Sequence, residues 1–433
     1  MPASTEQAVR VAVLADSDTR WKWGALTARR IVASEPTGFV LRGRATPTAR
    51  QLAETGVSST PPREVTGAEF LREVRDGAAR GEGYDVVVLA LVGGTVRAVL
   101  QGLAELSPGR RPVIVTGYVG VVYEKLADGL LLRHGADVVL ANSRHDAERF
   151  RAVYEGVGAD ASCVVEAALP FLGGAPYARE AGRDTLVFAA QPSVPATRPE
   201  RLHLLHRLIG HARLHPDREV LLKLRSRPGE HTTHLEELPY QRLVRDLATP
   251  PNFRLVYGHM GEILDRTDLL VTVSSTAALE ALHRRVPTAV LTDLGVREVL
   301  GNHHFIGSGL LTSFERLDAG EFPRPDEDWL ARQGVAAGGA SSPEASYETA
   351  FDAARKRVAE LLARPELPPV TPYYTAETAP GYLPGILARH RLDADAPEPR
   401  DSGLRRIVRE AARGAYRHGV QRVAPVIRRL GEL

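Results

Sequence analysis

Asp268-Leu269-Leu270-Val271-Thr272-Val273-Ser274-Ser275-Thr276-Ala277-Ala278-Leu279-Glu280-Ala281-Leu282 decides the fold. After Asp268, residues Leu269 to Val273 form a largely apolar, β-branched run with no polar alternation, the pattern of a strand buried on both faces. Three hydroxyl residues follow, and then the chain enters a helix expected over Ala277 to Arg284. The next apolar run, Pro287-Thr288-Ala289-Val290-Leu291, supplies a further strand. A strand, a helix and a strand in that order imply parallel pairing.

The same alternation extends towards the N-terminus. Strands are expected at Phe253–Val256, Glu219–Leu224 and Thr185–Ala189, with a helix over Pro199–Leu214. Before them, Ala168-Leu169-Pro170-Phe171-Leu172-Gly173-Gly174-Ala175-Pro176 is rich in Gly and Pro and reads as a linker. An earlier series comprises Val9–Ala15, Phe39–Gly43, Tyr84–Ala90, Pro112–Thr116 and Asp137–Asn142. Its helices run through Trp23 to Val32, to about Leu106, and from Ser143 to Tyr154. The reading is an α/β chain with two doubly wound domains, residues 1–170 and 177–365, facing across a cleft. Residues 334–346 read as a loop, Ser346–Arg364 as a closing helix, and 366–433 as an extension. Ligands of such sheets sit outside the carboxyl ends of the strands.

Composition narrows the functional classes. The chain has 433 residues, a formal net charge of +2 and one cysteine, Cys163. No intramolecular disulfide or cysteine-based zinc cluster can form, and the overall charge does not favour nucleic acid. No apolar run approaches the length of a membrane helix. Without the features of a signal peptide at its start, the chain is expected in the cytoplasm. The tail 402–433 alternates arginines (Arg405, Arg406, Arg409, Arg413) with Leu404, Ile407 and Val408. Such a segment suits the surface of an anionic membrane, or equally a solvated outer face.

Several segments carry candidate chemistry. Ser274, Ser275 and Thr276 stand between a strand and a helix, where free N–H groups and hydroxyls attract a phosphate; Glu280 lies one turn inside. The bland alternative is helix capping. Lys223, Arg225 and Arg227 alternate after a strand, so continued extension puts three cations on one side, suited to a diphosphate or carboxylate. Asp16 and Asp18 follow the first strand, and either could take a proton from an acceptor hydroxyl; both residue types also serve as caps. Trp21 and Trp23 fit the core better than a sugar platform. Gly117 and Tyr118, Gln191 and Ser193, and His303 are further residues at strand ends. His303 and His304 lack helical metal-ligand spacing, so no metal is expected.

The Leu14-Ala15-Asp16-Ser17-Asp18-Thr19-Arg20-Trp21-Lys22-Trp23-Gly24 segment resembles an actinobacterial glycosyltransferase family of the GT-B type. Val273-Ser274-Ser275-Thr276 through Glu280-Ala281-Leu282 is similar to the paired-hydroxyl motif of polysialyltransferases, Kdo transferases and CDP-glycerol polymerases. The resemblance implies two Rossmann-like domains, the first for the acceptor and the second for the nucleotide sugar. It implies that Ser274, Ser275 or Thr276 binds the phosphate of a CMP-, CDP- or UDP-linked donor. It further implies metal-independent, inverting transfer to a wall or capsule glycan with no cofactor. One departure is plain: where the sialyl-type enzymes carry His-Pro after the second strand of this domain, the chain has Arg227-Pro228. A non-hydrolysing nucleotide-sugar 2-epimerase shares the frame, and a catalytically silent binding protein fits it too.

Overall fold

The computed structural model describes residues 8–43, 46–57, 60–106, 111–121, 123, 125–227, 230, 238–335 and 347–390. The arginine-rich segment 402–433 and most of the 334–346 loop lie outside the described residues.

The described chain divides into two compact units. The first contains a seven-stranded parallel sheet: β1 (Val11–Ala15), β2 (Thr37–Leu41), β3 (Arg63–Val65), β4 (Val86–Ala90), β5 (Val113–Gly117), β6 (Val138–Ala141) and β7 (Val164–Glu166). Their order is β3-β2-β1-β4-β5-β6-β7. The second contains β8 (Thr185–Ala189), β9 (Glu219–Lys223), β10 (Phe253–Val256), β11 (Leu269–Thr272), β12 (Thr288–Leu291) and β13 (Leu311–Thr312), in the order β10-β9-β8-β11-β12-β13. Every pairing is parallel. Both units are therefore doubly wound, Rossmann-like α/β domains, the frame of the GT-B class.

Each sheet reverses direction once, between β1 and β4 and between β8 and β11, and there a crevice opens at the carboxyl ends. The central strands β1, β4, β5, β8 and β11 are buried throughout. That explains why their sequences are unbroken apolar runs and were easy to read. The short β3, β7 and β13 carry no such run and escape a sequence reading. So does the helix Gly67–Ala79, although Thr66 and Glu69 form a capping box at its start.

The helix Asp352–Leu362, expected from sequence to close the second domain, packs on the first. Arg355 Nε donates to Arg30 O at 2.7 Å, and the Arg30 guanidinium lies over the rings of Tyr347 and Phe351. Tyr347 Oη donates to Leu169 O at 2.6 Å. The helix buries Ala354, Val358 and Leu361 in one stripe; a stripe demands an apolar partner but does not say which sheet provides it. The following segment belongs there too. Buried Arg97 donates to Tyr374 O, and Ile386 of the helix Leu383–His390 packs with Ala98 and Leu132.

The glycine-rich linker is docked against the second domain. Arg284, itself buried, donates through Nε to Gly173 O at 2.6 Å and through Nη1 to Gly261 O at 3.0 Å. Gly174 has φ +98°, and a Cβ there would lie 2.1 Å from the Arg284 guanidinium carbon. Only glycine meets both conditions.

Candidate functional site at the carboxyl ends of the two sheets

In the second domain, strand register brings three separately predicted segments together. Ala189 of β8 is paired with Lys223 of β9 on one side and Thr272 of β11 on the other. The chain leaves these strands into Gln191, Leu224 and Ser274, so all three segments start from one sheet edge at the switch point. Gln191 Oε1 accepts from Ser274 N (3.1 Å) and from Ser274 Oγ (3.2 Å), tying the loop after β8 to the loop after β11.

Ser274 is buried, and its hydroxyl also contacts Leu300 O at 2.5 Å. Ser274 thus ties the loops of the crevice together. Ser275 Oγ accepts from Ala277 N (3.3 Å), and Ser275 N donates to Thr272 Oγ1 (3.1 Å). Thr276 makes no side-chain cap bond, and both residues remain half-buried. The helix they introduce, Ala277–His283, has only seven residues, all of them buried. Glu280 is buried within it. A helix this short has a weak macrodipole, so attraction for an anion falls mainly to side-chain cations.

Those cations are present. Hydrogen bonding in β9 ends near Lys223, yet alternation continues: Leu224 and Ser226 are buried, Lys223 and Arg225 half-buried, and Arg227 exposed. Leu224 N still donates to Val256 O at 2.9 Å, which keeps the chain extended. Lys223 Nζ bonds Leu224 O at 2.8 Å, so its ammonium stays at the strand end. Arg227 is set further out, over the Tyr257 ring.

A residue the sequence did not advertise shapes the loop after β8. Arg201 is 1% exposed and donates to Pro195 O (2.8 Å), Leu238 O (2.8 Å), Gln191 O (3.4 Å) and Pro192 O. One guanidinium thereby fixes the segment that carries Gln191 and Ser193. His303 sits on a short 3-10 turn, Asn302–Phe305, after β12. Its Nδ1 is buried without a partner among the described residues. Neighbouring Asn302 is fully buried and bonds Leu291 O and Gly295 O, so this loop too is built, not loose.

The first domain's switch point has different chemistry. Asp16 Oδ1 pairs with Arg20 Nη1 at 2.8 Å, and Asp16 Oδ2 accepts from Val92 N at 3.0 Å. Asp16 is therefore the clasp between the loops after β1 and β4. Asp18 opens the helix Asp18–Val32, with Ser17 as the cap, and is half-buried. Trp21 and Trp23 are 2% and 1% exposed and belong to the core.

Gly117 and Tyr118 both have packing partners within the first domain. A Cβ on Gly117 would lie 2.8 Å from Trp23 Cζ2, so this glycine serves indole packing. Tyr118 packs on Tyr123 and Phe150, with the Arg133 guanidinium 4.0 Å from its ring centre. Burial raises its phenol pKa. Arg133 is the residue missed here: 4% exposed, it donates to Leu91 O (3.2 Å), Gly117 O (3.1 Å) and Gly129 O (2.8 Å), joining the ends of β4 and β5. Nearby Asp146 is fully buried and accepts from Tyr123 Oη at 2.7 Å. Burial pushes its carboxyl up to about 6, against the smaller downward pull of that hydrogen bond.

The family described as "Putative glycosyltransferase (DUF6716)" matches residues 11–350. The chain belongs to this family. No curated protein matches it significantly. Among solved structures, a "putative UDP-N-acetylglucosamine 2-epimerase" from Listeria monocytogenes is 13% identical, with a TM-score of 0.49 over 82% of this chain and 96% of the other. A UDP-GlcNAc 2-epimerase from Methanocaldococcus jannaschii, in complex with UDP-GlcNAc and UDP, is 12% identical, TM-score 0.46, over 72% and 91%. A wall teichoic acid polymerase is 12% identical, TM-score 0.40, over 83% and 92%. No helix among the described residues is long and apolar enough to cross a membrane.

Proposed function

We propose that this family member transfers a sugar from a nucleotide donor to a glycan hydroxyl, with inversion and without a metal. The donor's phosphate docks at the carboxyl ends of β9, β8 and β11. One observation carries this reading: register gathers Lys223 and Arg225, Gln191 and Ser193, and Ser275 and Thr276 at a single switch point. Lys223 and Arg225 meet the negative charge, the hydroxyls of Ser275 and Thr276 donate to phosphate oxygens, and Gln191 with Ser274 holds the crevice rigid. His303 on the neighbouring loop is a further candidate contact.

The chemistry needs one base. The acceptor oxygen attacks the anomeric carbon while the bond from that carbon to the phosphate oxygen breaks. The nucleotide leaves with the electron pair, and the acceptor proton passes to a carboxylate. Asp18 is assigned that role, because it lies further from the strand than Asp16, at the start of the helix Asp18–Val32. The first domain then serves the acceptor, and the second the donor. A CMP-, CDP- or UDP-linked donor and an acceptor of the cell-wall or capsule kind are proposed from the motif resemblance. Work inside the cytoplasm, with the tail 402–433 against an anionic membrane, completes the proposal.

Calorimetric titration with CMP, CDP and UDP, followed by product analysis with the donor that binds, tests it. Binding of one nucleotide and acceptor-dependent release of that nucleotide are expected. A new hexosamine formed from UDP-GlcNAc without acceptor identifies an epimerase instead. Failure of all three nucleotides to bind overturns the donor site.

A further inference from the structure

His211 and His215 are one helical turn apart at the end of the helix Arg198–Leu214, where i and i+4 side chains share a face. Their rings are 4.5 Å apart between centroids. Asp318, at the end of the helix Phe314–Asp318, closes on them, with Oδ1 2.6 Å from His211 Nδ1. One ligand atom from each residue lies within 4.8 Å of the other two. A tetrahedral zinc site with bonds of about 2.0–2.1 Å needs its donors roughly 3.3 Å apart, so the His211–Asp318 hydrogen bond opens slightly while the wider separations close, both by side-chain rotation.

Nothing in the sugar-transfer reading uses this cluster. Arg218 and Asp184 immediately precede β9 and β8, so the group lies towards the amino ends of those strands, away from the switch point. One feature is unexplained by packing alone. His215 Nε2 is buried, yet has no hydrogen-bond partner among the described residues. Buried imidazole nitrogens are ordinarily paired.

We propose that His211, His215 and Asp318 form a binding site for a borderline divalent cation of the zinc type, independent of sugar transfer. Two imidazoles and one carboxylate are the donor set zinc prefers over magnesium or calcium. The surroundings resemble an outer ligand shell: Arg207 Nη2 bonds the second oxygen of Asp318 at 3.1 Å and holds the carboxylate in place. The competitor for the site is Arg218, whose Nη1 lies 3.0 Å from His211 Nε2. When a cation takes His211 Nδ1, the ring hydrogen moves to Nε2 and faces the guanidinium. Arg218 must then turn towards Asp184, which its Nε already contacts at 2.9 Å. Arg218 thus opposes binding, while His215 and Asp318 support it.

The test uses untagged full-length protein stripped with chelator and titrated with ZnCl2 and CoCl2, with MgCl2 as a control. One zinc per chain, visible d–d absorption with cobalt, and no response to magnesium are expected. Zinc affinity falls at least tenfold in His215→Ala and Asp318→Asn, the second keeping a hydrogen-bonding side chain beside His211. It rises in Arg218→Gln. Far-UV circular dichroism separates loss of ligands from loss of fold. The site is refuted if neither wild type nor Arg218→Gln binds zinc. It is equally refuted if binding persists in folded His215→Ala, which places the metal on other residues such as Cys163.

Discussion

The two sheets reverse at the same topological position, but their switch points are made of opposite chemistry. In the first domain the clasp is ionic: Asp16 bridges Arg20 and the Val92 amide, and Asp18 stands next to it. In the second the clasp is neutral, an amide oxygen of Gln191 on both donors of Ser274, with cations gathered on the next strand. A carboxylate-lined end repels phosphate and can accept a proton. An end with hydroxyls and cations does the reverse. On the proposed reading, this difference assigns the acceptor hydroxyl to the first domain and the anionic leaving group to the second.

Both ends also depend on one buried arginine each, and removing it should have the largest effect. Arg133→Ala leaves the carbonyls of Leu91, Gly117 and Gly129 without their donor, and Arg201→Ala does the same to Gln191, Pro192, Pro195 and Leu238. With each orphaned group costing about 1–3 kcal/mol, denaturant titration should show each variant destabilised by at least about 3 kcal/mol. A loss in only one would break the parallel between the domains.

Next in size is Asp146, buried behind the first domain's site. Its folded pKa of about 6 exceeds the ordinary value of 3.8, so its stability contribution is complete below pH 4 and is lost as pH rises through 6. Asp146→Asn should match wild type near pH 4 and exceed it by up to about 3 kcal/mol at pH 7.5, taking about 1.4 kcal/mol per pKa unit. Thermal melts across that range check it; a difference independent of pH contradicts the burial.

Gln191→Ala should cost about 1–3 kcal/mol for the Ser274 N–H it abandons, the hydroxyl keeping Leu300 O, and should weaken nucleotide binding in calorimetry. If stability drops while affinity holds, the neutral clasp is structural only. The smallest effect is expected at Arg227, exposed and outermost of its series. Arg227→Ala should change stability by no more than about 0.5 kcal/mol and affinity less than Lys223→Ala does.

Much of this was legible in the sequence because central parallel strands must be apolar along their whole length. β8 has the same bounds as the apolar run Thr185–Ala189, and β11 falls within the run Leu269–Val273. Edge strands β3 and β7 were not, since an edge needs less burial. Strand-end position marked Ser275, Lys223 and Asp18 as candidates, but could not separate Ser274, which faces inward, from Ser275, which does not. Nor could it find Arg133 and Arg201. Their function is to satisfy backbone carbonyls far away in sequence, and no local pattern encodes that. The helix Asp352–Leu362 was visible as a stripe, while its partner sheet was not.

The decisive measurement is nucleotide affinity compared across the two switch points. In calorimetric titrations with whichever of CMP, CDP and UDP binds, Lys223→Ala and the double variant Ser275→Ala/Thr276→Ala should each lose roughly tenfold or more, the worth of a charge-assisted phosphate contact. Asp18→Asn should bind the nucleotide as wild type does while losing transfer. Undiminished affinity in the second-domain variants, or its abolition in Asp18→Asn, would contradict the division of chemistry between the domains.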